Sequence, residues 1–292
     1  MSIIESLIET QEFATLPPVA SKVLALLEDD NIDIRNLSKV IEADASLTLK
    51  LLRVANSPLY ATRTEINTIH QAIITLGLNR LTNIVLGVSI FSKFLLSSQK
   101  IAAGLMEKFW WHASCTGMVA KSLSTKINKS YKENEFIGGL LHDIGKLAML
   151  QYDAKKYYQV VDKVTQGATD IEAEIEIYGV NHMQVGGEIA KLWRLPHELT
   201  TIIAYHTNPF EAPNYQELVS VVRIADLLCE VWDAGFYEGI QSLKLENHPA
   251  WLCLTNYLPE LKTLDVEMFT FELEQDFRKS SDFLSIIAKE SA

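Results

Sequence analysis

Apolar residues recur along almost the whole chain with the spacing of an α-helix, and no segment alternates apolar and polar residues as a half-buried strand does. The pattern therefore predicts an all-α protein. In the first part of the chain, helices are expected to begin at Pro17–Pro18 and Thr68, and behind the N-cap residues Asp33, Asp44 and Asn79. Helix ends are expected at residues 29–31, at 56–58 and at Gly77.

The rest of the chain continues the same pattern with short connections, typical of helical bundles. Helices are expected over residues 101–127, 133–150, 154–165, 170–178, 182–193, 196–205 and 215–236, with a shorter helical tail beyond Pro259. The composition changes at 97–100. We therefore expect an N-terminal helical subdomain at 1–100, packed on a multi-helix bundle at 101–240 and followed by a C-terminal helical tail at 241–292.

Charge and cysteine content narrow the class of protein. The formal net charge is −11, which disfavours a nucleic-acid binder because such a protein needs a basic surface. The three cysteines are far apart and form no metal-binding motif, which favours a reducing compartment such as the cytoplasm. The start of the chain carries acidic residues where a signal peptide is basic, and the most apolar stretch, 81–96, is shorter than the roughly 20 residues of a membrane span.

Several ionisable residues interrupt apolar helical segments in the second part of the chain. These residues are His112, His142, Asp143, His182, His206 and Asp226. A buried charge is costly unless it is paired or binds a metal, and imidazole with carboxylate suits zinc, manganese or iron. Adjacent helical residues point about 100° apart, so His142 and Asp143 share one ion only if other helices supply the remaining ligands. The pattern predicts a divalent metal site.

A structural role is also open for four of these residues. His112 has the surroundings of a core histidine, His182 stands at the start of a helix, and His206 stands at a helix end, where a histidine stabilises the dipole. Asp226 could pair with Arg223, three residues before it.

Lys146 lies one turn after His142 and either holds a substrate phosphate or pairs with Asp143. The remaining histidines lie among polar or proline-rich neighbours and are predicted to be surface residues; they are His70, His197 and His248.

The order His112, His142–Asp143 and Asp226 resembles the signature of the HD superfamily of metal-dependent phosphohydrolases. The chain resembles more closely the HDOD family of bacterial signalling domains. The segments that carry this resemblance are LPPV (16–19), IEADASL (41–47), LLRVANS (51–57), IHQAI (69–73), LG (76–77), GGLLHDIGK (138–146) and WRLP (193–196). The resemblance implies an HD-type helical bundle and a regulatory role beside other signalling proteins.

Related HD-GYP phosphodiesterases cleave cyclic di-GMP at a site of two or three metal ions. By resemblance to them, all six ionisable residues fall on ligand positions, Asp143 falls on the bridging position, and Lys146 falls on the lysine that contacts phosphate. Three departures count against that activity. Thr207 follows His206 where the family has a second histidine, the Gly-Tyr-Pro motif is missing, and Lys108 stands where the trinuclear members have glutamate.

Two functions follow from these observations. The favoured one is a non-enzymatic regulatory protein that binds signalling proteins and has a metal site in its HD core. The alternative is a metal-dependent phosphohydrolase acting on a nucleotide or another phosphoester, with Asp143 and Lys146 as catalytic residues. A helix-turn-helix DNA binder, suggested by residues 36–55, is disfavoured because residues 1–60 carry five Lys and Arg against nine Asp and Glu.

Overall fold

The computed structural model describes residues 4, 6, 15–27, 33–56, 60, 64–97, 103–240 and 242–280. Within these ranges every regular element is a helix, which confirms the all-α prediction. The α-helices are α1 (Pro18–Leu27), α2 (Ile34–Glu42), α3 (Ala45–Ala55), α4 (Ile69–Leu76), α5 (Leu78–Ser97), α6 (Ala103–Lys126), α7 (Asn134–Leu141), α8 (Ile144–Tyr152), α9 (Ala154–Thr165), α10 (Asp170–Tyr178), α11 (His182–Leu192), α12 (His197–Tyr205), α13 (Gln216–Val231), α14 (Pro249–Tyr257) and α15 (Val266–Ser280). Short 3₁₀ helices span Pro209–Glu211, Leu245–Asn247 and Pro259–Thr263.

The described residues form two compact units, one within 16–97 and the other within 103–278. In the first unit, α2, α3 and α4 begin where their N-cap residues satisfy free backbone N–H groups. The side chains of Asp33, Asp44 and Thr68 each accept a hydrogen bond from the first turn of their helix, at 2.9, 2.9 and 3.1 Å. These three helix starts confirm the predictions. The ends expected at 29–31 and at 57–58 lie outside the described residues.

The start of α5 differs from the prediction. Asn79 is not its N-cap, because the helix already begins at Leu78. Gly77 has a φ of +88°, a conformation that glycine adopts without steric cost, and it lets α5 begin directly after α4 ends. Among the described residues, none of the helices has the length and apolarity needed to cross a lipid bilayer.

The second unit is a bundle in which α7 is central. Helix α7 packs against α6, α12 and α13, while α8 packs against α11. Further contacts join α6 to α13, α9 to α10 and α13 to α14. These contacts bring the end of α7 and the start of α8 into the middle of the unit.

The single helix predicted over 133–150 is wrong, because α7 and α8 are separated by a break at His142 and Asp143. Two glycine contacts explain the break. A Cβ on Gly139 would lie 2.7 Å from the Cα of Gly117 in α6, and one on Gly145 would overlap the carbonyl of His182. Helix α7 packs closely against α6, and α8 packs closely against α11. One straight helix cannot make both contacts.

The prediction for 215–236 is also wrong at its C-terminal end. Helix α13 stops at Val231, and Asp233 takes a left-handed φ of 60° while Ala234 N–H donates to the Cys229 carbonyl at 2.9 Å. The chain then continues as a non-helical segment at 232–240, which we call the covering segment. Helix α14, with Pro249 at its first position, lies within the predicted helical tail at 241–292 but comes before Pro259, beyond which the helical residues of that tail were expected.

Candidate metal centre

All six sequence-predicted ligand residues meet in the middle of the second unit. The side chains come from α6 (His112), the break between α7 and α8 (His142 and Asp143), the first residue of α11 (His182), the end of α12 (His206) and α13 (Asp226). Each of these residues is 0–1% exposed. The break in the helix matters here because it lets both adjacent residues of the His-Asp pair face the same centre.

Four donor atoms form what we call the first half-site: the Nε2 atoms of His112 and His142, Oδ2 of Asp143 and Oδ1 of Asp226. His112 Nε2 lies 3.2 Å from Asp226 Oδ1, 3.3 Å from His142 Nε2 and 3.7 Å from Asp143 Oδ2. His142 Nε2 lies 3.5 Å from both carboxylate oxygens. Tetrahedral ligands of an ion with bonds of about 2.1 Å are about 3.4 Å apart, so these spacings fit one metal ion.

Three donor atoms form the second half-site: Oδ1 of Asp143 and the Nε2 atoms of His182 and His206. Asp143 Oδ1 lies 3.5 Å from His182 Nε2 and 3.6 Å from His206 Nε2, and the two histidine nitrogens are 3.2 Å apart. Asp143 thus offers one oxygen to each half-site. The second half-site has one protein donor fewer than the first.

The histidine rings are oriented by hydrogen bonds from their Nδ1 atoms. The acceptors are backbone carbonyls for His112 (Ala234, 2.9 Å), His142 (Gly139, 2.7 Å) and His206 (Ile203, 3.3 Å), and the Glu174 carboxylate for His182 (2.7 Å). An Nδ1–H that donates to oxygen leaves the Nε2 lone pair facing the centre, which is the tautomer a metal requires.

Both carboxylates that are candidate ligands favour the ionised form. Burial alone would raise the pKa of Asp143, but the ammonium of Lys146 and the neighbouring histidines hold it well below its usual value. Burial likewise opposes ionisation of Asp226, and His142, His112 and Arg223 together keep its pKa well below the usual value. Asp143 Oδ1 and Asp226 Oδ1 accept no hydrogen bond from the described residues. Ionised, buried and without a donor, these oxygens fit a cation.

The surroundings of the centre carry a surplus of negative charge. Its buried carboxylates belong to Asp143, Asp170, Glu174, Asp226 and Glu238, whereas its buried cations are Lys146 and Arg223. Burial raises the pKa of Glu174 and of Glu238 despite their positive partners, and Asp226 raises the pKa of His112 despite burial. These three groups hold their protons more tightly than usual, whereas burial lowers the pKa of His206 to about 4. Divalent ions bound in the centre would offset the surplus of negative charge.

Lys146 is completely buried. Its Nζ lies 2.9 Å from Asp143 Oδ2 and 2.8 Å from Asp170 Oδ2. Of the two alternatives open from the sequence, the structure has the ion pair with Asp143. Asp226 does form the predicted ion pair, because Arg223 Nη1 lies 2.6 Å from its Oδ2. Its Oδ1 faces His112 and His142 and stays a candidate metal ligand.

Three acidic residues that support the candidate ligands were not predicted from the sequence. Asp170 and Glu174 belong to an acidic helix whose sequence is typical of a solvent-exposed helix. Only their i, i+4 spacing indicates that the two side chains lie on the same face. Glu238, whose carboxylate lies 2.8 Å from Arg223 Nη1, is in the covering segment and carries no local signal. Of the three histidines predicted at the surface, His70 and His197 are exposed, as expected. His248 is instead half-buried and is the N-cap residue of α14.

The covering segment contacts the centre and also lines an open cavity of about 370 Å³. Its Ala234 carbonyl accepts a hydrogen bond from His112. Its residues Asp233, Gly235, Tyr237, Gly239 and Ile240 line the cavity together with Lys108, Val164, Thr165 and Glu230. The ammonium of Lys108 lies 3.7 Å from the centroid of the Tyr237 ring.

Comparison with known proteins gives a consistent family. A model of the HDOD domain matches residues 13–209. The crystal structure of an HDOD domain protein with unknown function from Geobacter sulfurreducens is 27% identical, covers 92% of each chain and has a TM-score of 0.75. A Shewanella amazonensis SB2B protein named "Putative phosphohydrolase" shares the fold at 21% identity and a TM-score of 0.70, over 99% of this chain and 98% of that one.

A relative in Treponema pallidum (strain Nichols), named only as an uncharacterized protein, is 25% identical over 232 residues. The match takes in 75% of this chain but 43% of the relative, so the chain spans less than half the length of that protein.

Proposed function

This chain belongs to the HDOD domain family, and from that premise we propose that it is a regulatory signalling protein whose helical core holds divalent metal in two unequal half-sites. The observation that carries the metal assignment is the convergence of seven nitrogen and oxygen donors in two groups that share the Asp143 carboxylate. Within each group, neighbouring donors lie 3.2–3.7 Å apart. Iron, manganese and zinc all suit this donor set.

Access to the centre favours regulation over turnover. A hydrolase must bring a phosphoester and water to its metal, but the six ligand residues here are 0–1% exposed. Lys146, the residue that resembles a phosphate-binding lysine, is equally buried and has a carboxylate on either side. A centre enclosed in this way is suited to holding the helices in a fixed arrangement. The surface of these helices would then bind signalling proteins in the cytoplasm.

The four donors of the first half-site would enclose one ion, as in structural metal sites. The bound metal would supply positive charge to Asp143 and Asp226. In turn, the backbone carbonyls of Gly139 and Ala234 would keep the rings of His142 and His112 in the binding tautomer.

The test compares metal content and turnover in the same preparations. We expect wild-type protein to carry at least one equivalent of metal and the His142→Ala, Asp143→Ala double variant to carry none. We also expect no hydrolysis of bis(p-nitrophenyl) phosphate, nucleotides or cyclic dinucleotides with iron, manganese or zinc added. Turnover that the double variant abolishes would contradict the regulatory assignment, and a metal-free wild type after reconstitution would contradict the metal assignment.

One observation favours the alternative, a metal-dependent phosphohydrolase. The second half-site has three protein donors, and catalytic metal sites keep a coordination position open for water or substrate. A divalent metal there would lower the pKa of water and neutralise developing charge on a phosphoryl group. Asp143 would orient both half-sites, and Lys146 would stabilise phosphate oxygens once Asp170 released it. The same turnover assay decides between the two functions.

A further inference from the structure

Helix α10 carries two buried carboxylates on the face that it turns toward the metal centre. Asp170 and Glu174 are one turn apart and are 5% and 0% exposed. Glu172 and Glu176, on the same helix, are exposed to solvent. Burying an unpaired carboxylate costs free energy, so we expect both inward residues to have hydrogen-bond or charged partners.

Glu174 has both of its partners in one residue, His182. Its Oε2 accepts the Nδ1–H of the His182 ring at 2.7 Å and the backbone N–H of His182 at 2.8 Å. Two donors from the same residue fix both the start of α11 and the plane of the ring. The Nε2 atom of His182 is thereby directed at Asp143 Oδ1 and His206 Nε2.

Asp170, Glu174 and His182 could also be considered a third metal site, because donor atoms of the three lie within 4.8 Å of one another. Two contacts argue against this. Asp170 Oδ2 lies 2.8 Å from the Lys146 ammonium, a cation already in place. Moreover, the Nδ1 of His182 cannot ligate a metal while it donates its proton to Glu174.

In the first half-site, neither histidine is oriented by a carboxylate of α10. His112 and His142 donate their Nδ1 protons to backbone carbonyls, and Asp226 is held by Arg223. The two half-sites therefore differ in what supports them as well as in their number of donors.

We propose that Glu174 is the positioning residue of the second half-site, and that through His182 it sets the affinity of that half-site without affecting the first. This rests on the proposed metal centre. A carboxylate that accepts the outer N–H of a ligating histidine raises the basicity of the ligand, and its loss typically weakens metal binding about 10–100-fold.

The experiment is a titration of metal-free protein with Co²⁺. The visible d–d absorption of the bound Co²⁺ reports binding, and competition with a chelator gives the affinity of each half-site. Glu174→Leu keeps the side-chain volume close but removes both acceptors. We expect it to bind the first Co²⁺ like wild type and the second about 10–100-fold more weakly, with a changed absorption band for the second ion only. Glu174→Gln keeps an acceptor oxygen and should restore most of the affinity. Glu176→Ala, an exposed glutamate of the same helix, is the matched control and should behave as wild type.

Two outcomes would overturn the inference without contradicting the metal centre. In one, Glu174→Leu binds both ions with the affinity of wild type; in the other, it lowers the affinity for both ions equally. Failure of wild-type protein to bind Co²⁺ at all would instead contradict the proposed metal centre itself. Should Glu174→Leu not fold, the zinc-loaded wild type still decides by ¹⁵N NMR. The His182 ring, identified by the signal lost in His182→Gln, must carry its proton on Nδ1, and a proton on Nε2 would overturn the assignment.

Discussion

The Nζ atom of Lys146 lies 2.8 Å from Oδ2 of Asp170, with the lysine fully buried and the aspartate 5% exposed. Because Asp143 stands 2.9 Å from the same nitrogen, the ammonium is enclosed between two carboxylates. This arrangement connects α10 to the residue shared by both half-sites. It also removes from solvent the one lysine whose position resembles that of a phosphate-binding lysine.

Asp170→Ala should lower the free energy of unfolding of the metal-free protein by about 3 kcal/mol, because it leaves a buried ammonium with one partner instead of two. Urea denaturation measures this. The control is Lys191→Ala, which breaks an exposed pair with Glu188 and should cost less than about 1 kcal/mol. Equal effects of the two substitutions would show that the Lys146–Asp170 contact does not stabilise the fold.

Gly145→Ala should destabilise the protein by about 2 kcal/mol or more and weaken metal binding in the second half-site. The reason is steric, since a Cβ at Gly145 overlaps the carbonyl of His182 and must push α8 and α11 apart. Thermal unfolding and a metal titration measure the two effects.

The control for this substitution is Gly104→Ala in α6, where an added Cβ has no neighbour within 4 Å. It should leave stability unchanged or raise it by up to about 1 kcal/mol, because alanine favours the helix over glycine. If Gly145→Ala matches this control, the close approach of α8 and α11 is not what positions His182.

His248 should make the stability depend on pH. Its Nδ1 accepts the Ala250 N–H at 3.1 Å, and burial, with a smaller contribution from Arg223, lowers its pKa from 6.5 to about 4. Between those two values the unfolded chain binds the proton more readily than the folded one, so stability falls as the pH is lowered through this range. The effect is about 1 kcal/mol, since solvent screens a half-buried ring.

The measurement compares urea unfolding at pH 7.5 and pH 4.5 for wild type and His248→Asn. Asparagine is a good N-cap residue and does not titrate, so the variant should lose less stability than wild type on acidification. An equal loss in both proteins would rule out His248 as the titrating group.

Local chemistry explains what was predictable from the sequence. Asp33, Asp44 and Thr68 act within one turn of their own helices, so a sequence pattern contains all the information that places those helix starts. The six candidate ligands were identifiable because ionisable residues in apolar helices are rare without a partner. Whether they bind metal stays a prediction.

Contacts between distant segments explain what was not predictable. The break at His142–Asp143 depends on glycines that bring α7 against α6 and α8 against α11, and the apolar periodicity continues through the break. The inward face of α10 likewise follows from its packing position, because Asp170 and Glu174 differ from the exposed acids of that helix only in what they face. Such information lies in the tertiary structure.

Anomalous diffraction from a crystal of zinc-reconstituted protein would test directly whether the six residues bind metal. Two peaks are expected, one on each side of the Asp143 carboxylate, roughly 3.5–4 Å apart as in other two-metal sites. The peak beside His112, His142 and Asp226 should have the higher occupancy, because that half-site has four protein donors. Absence of anomalous density beside Asp143 at saturating zinc would show that there is no metal centre here, and that the six residues form a buried polar network without metal.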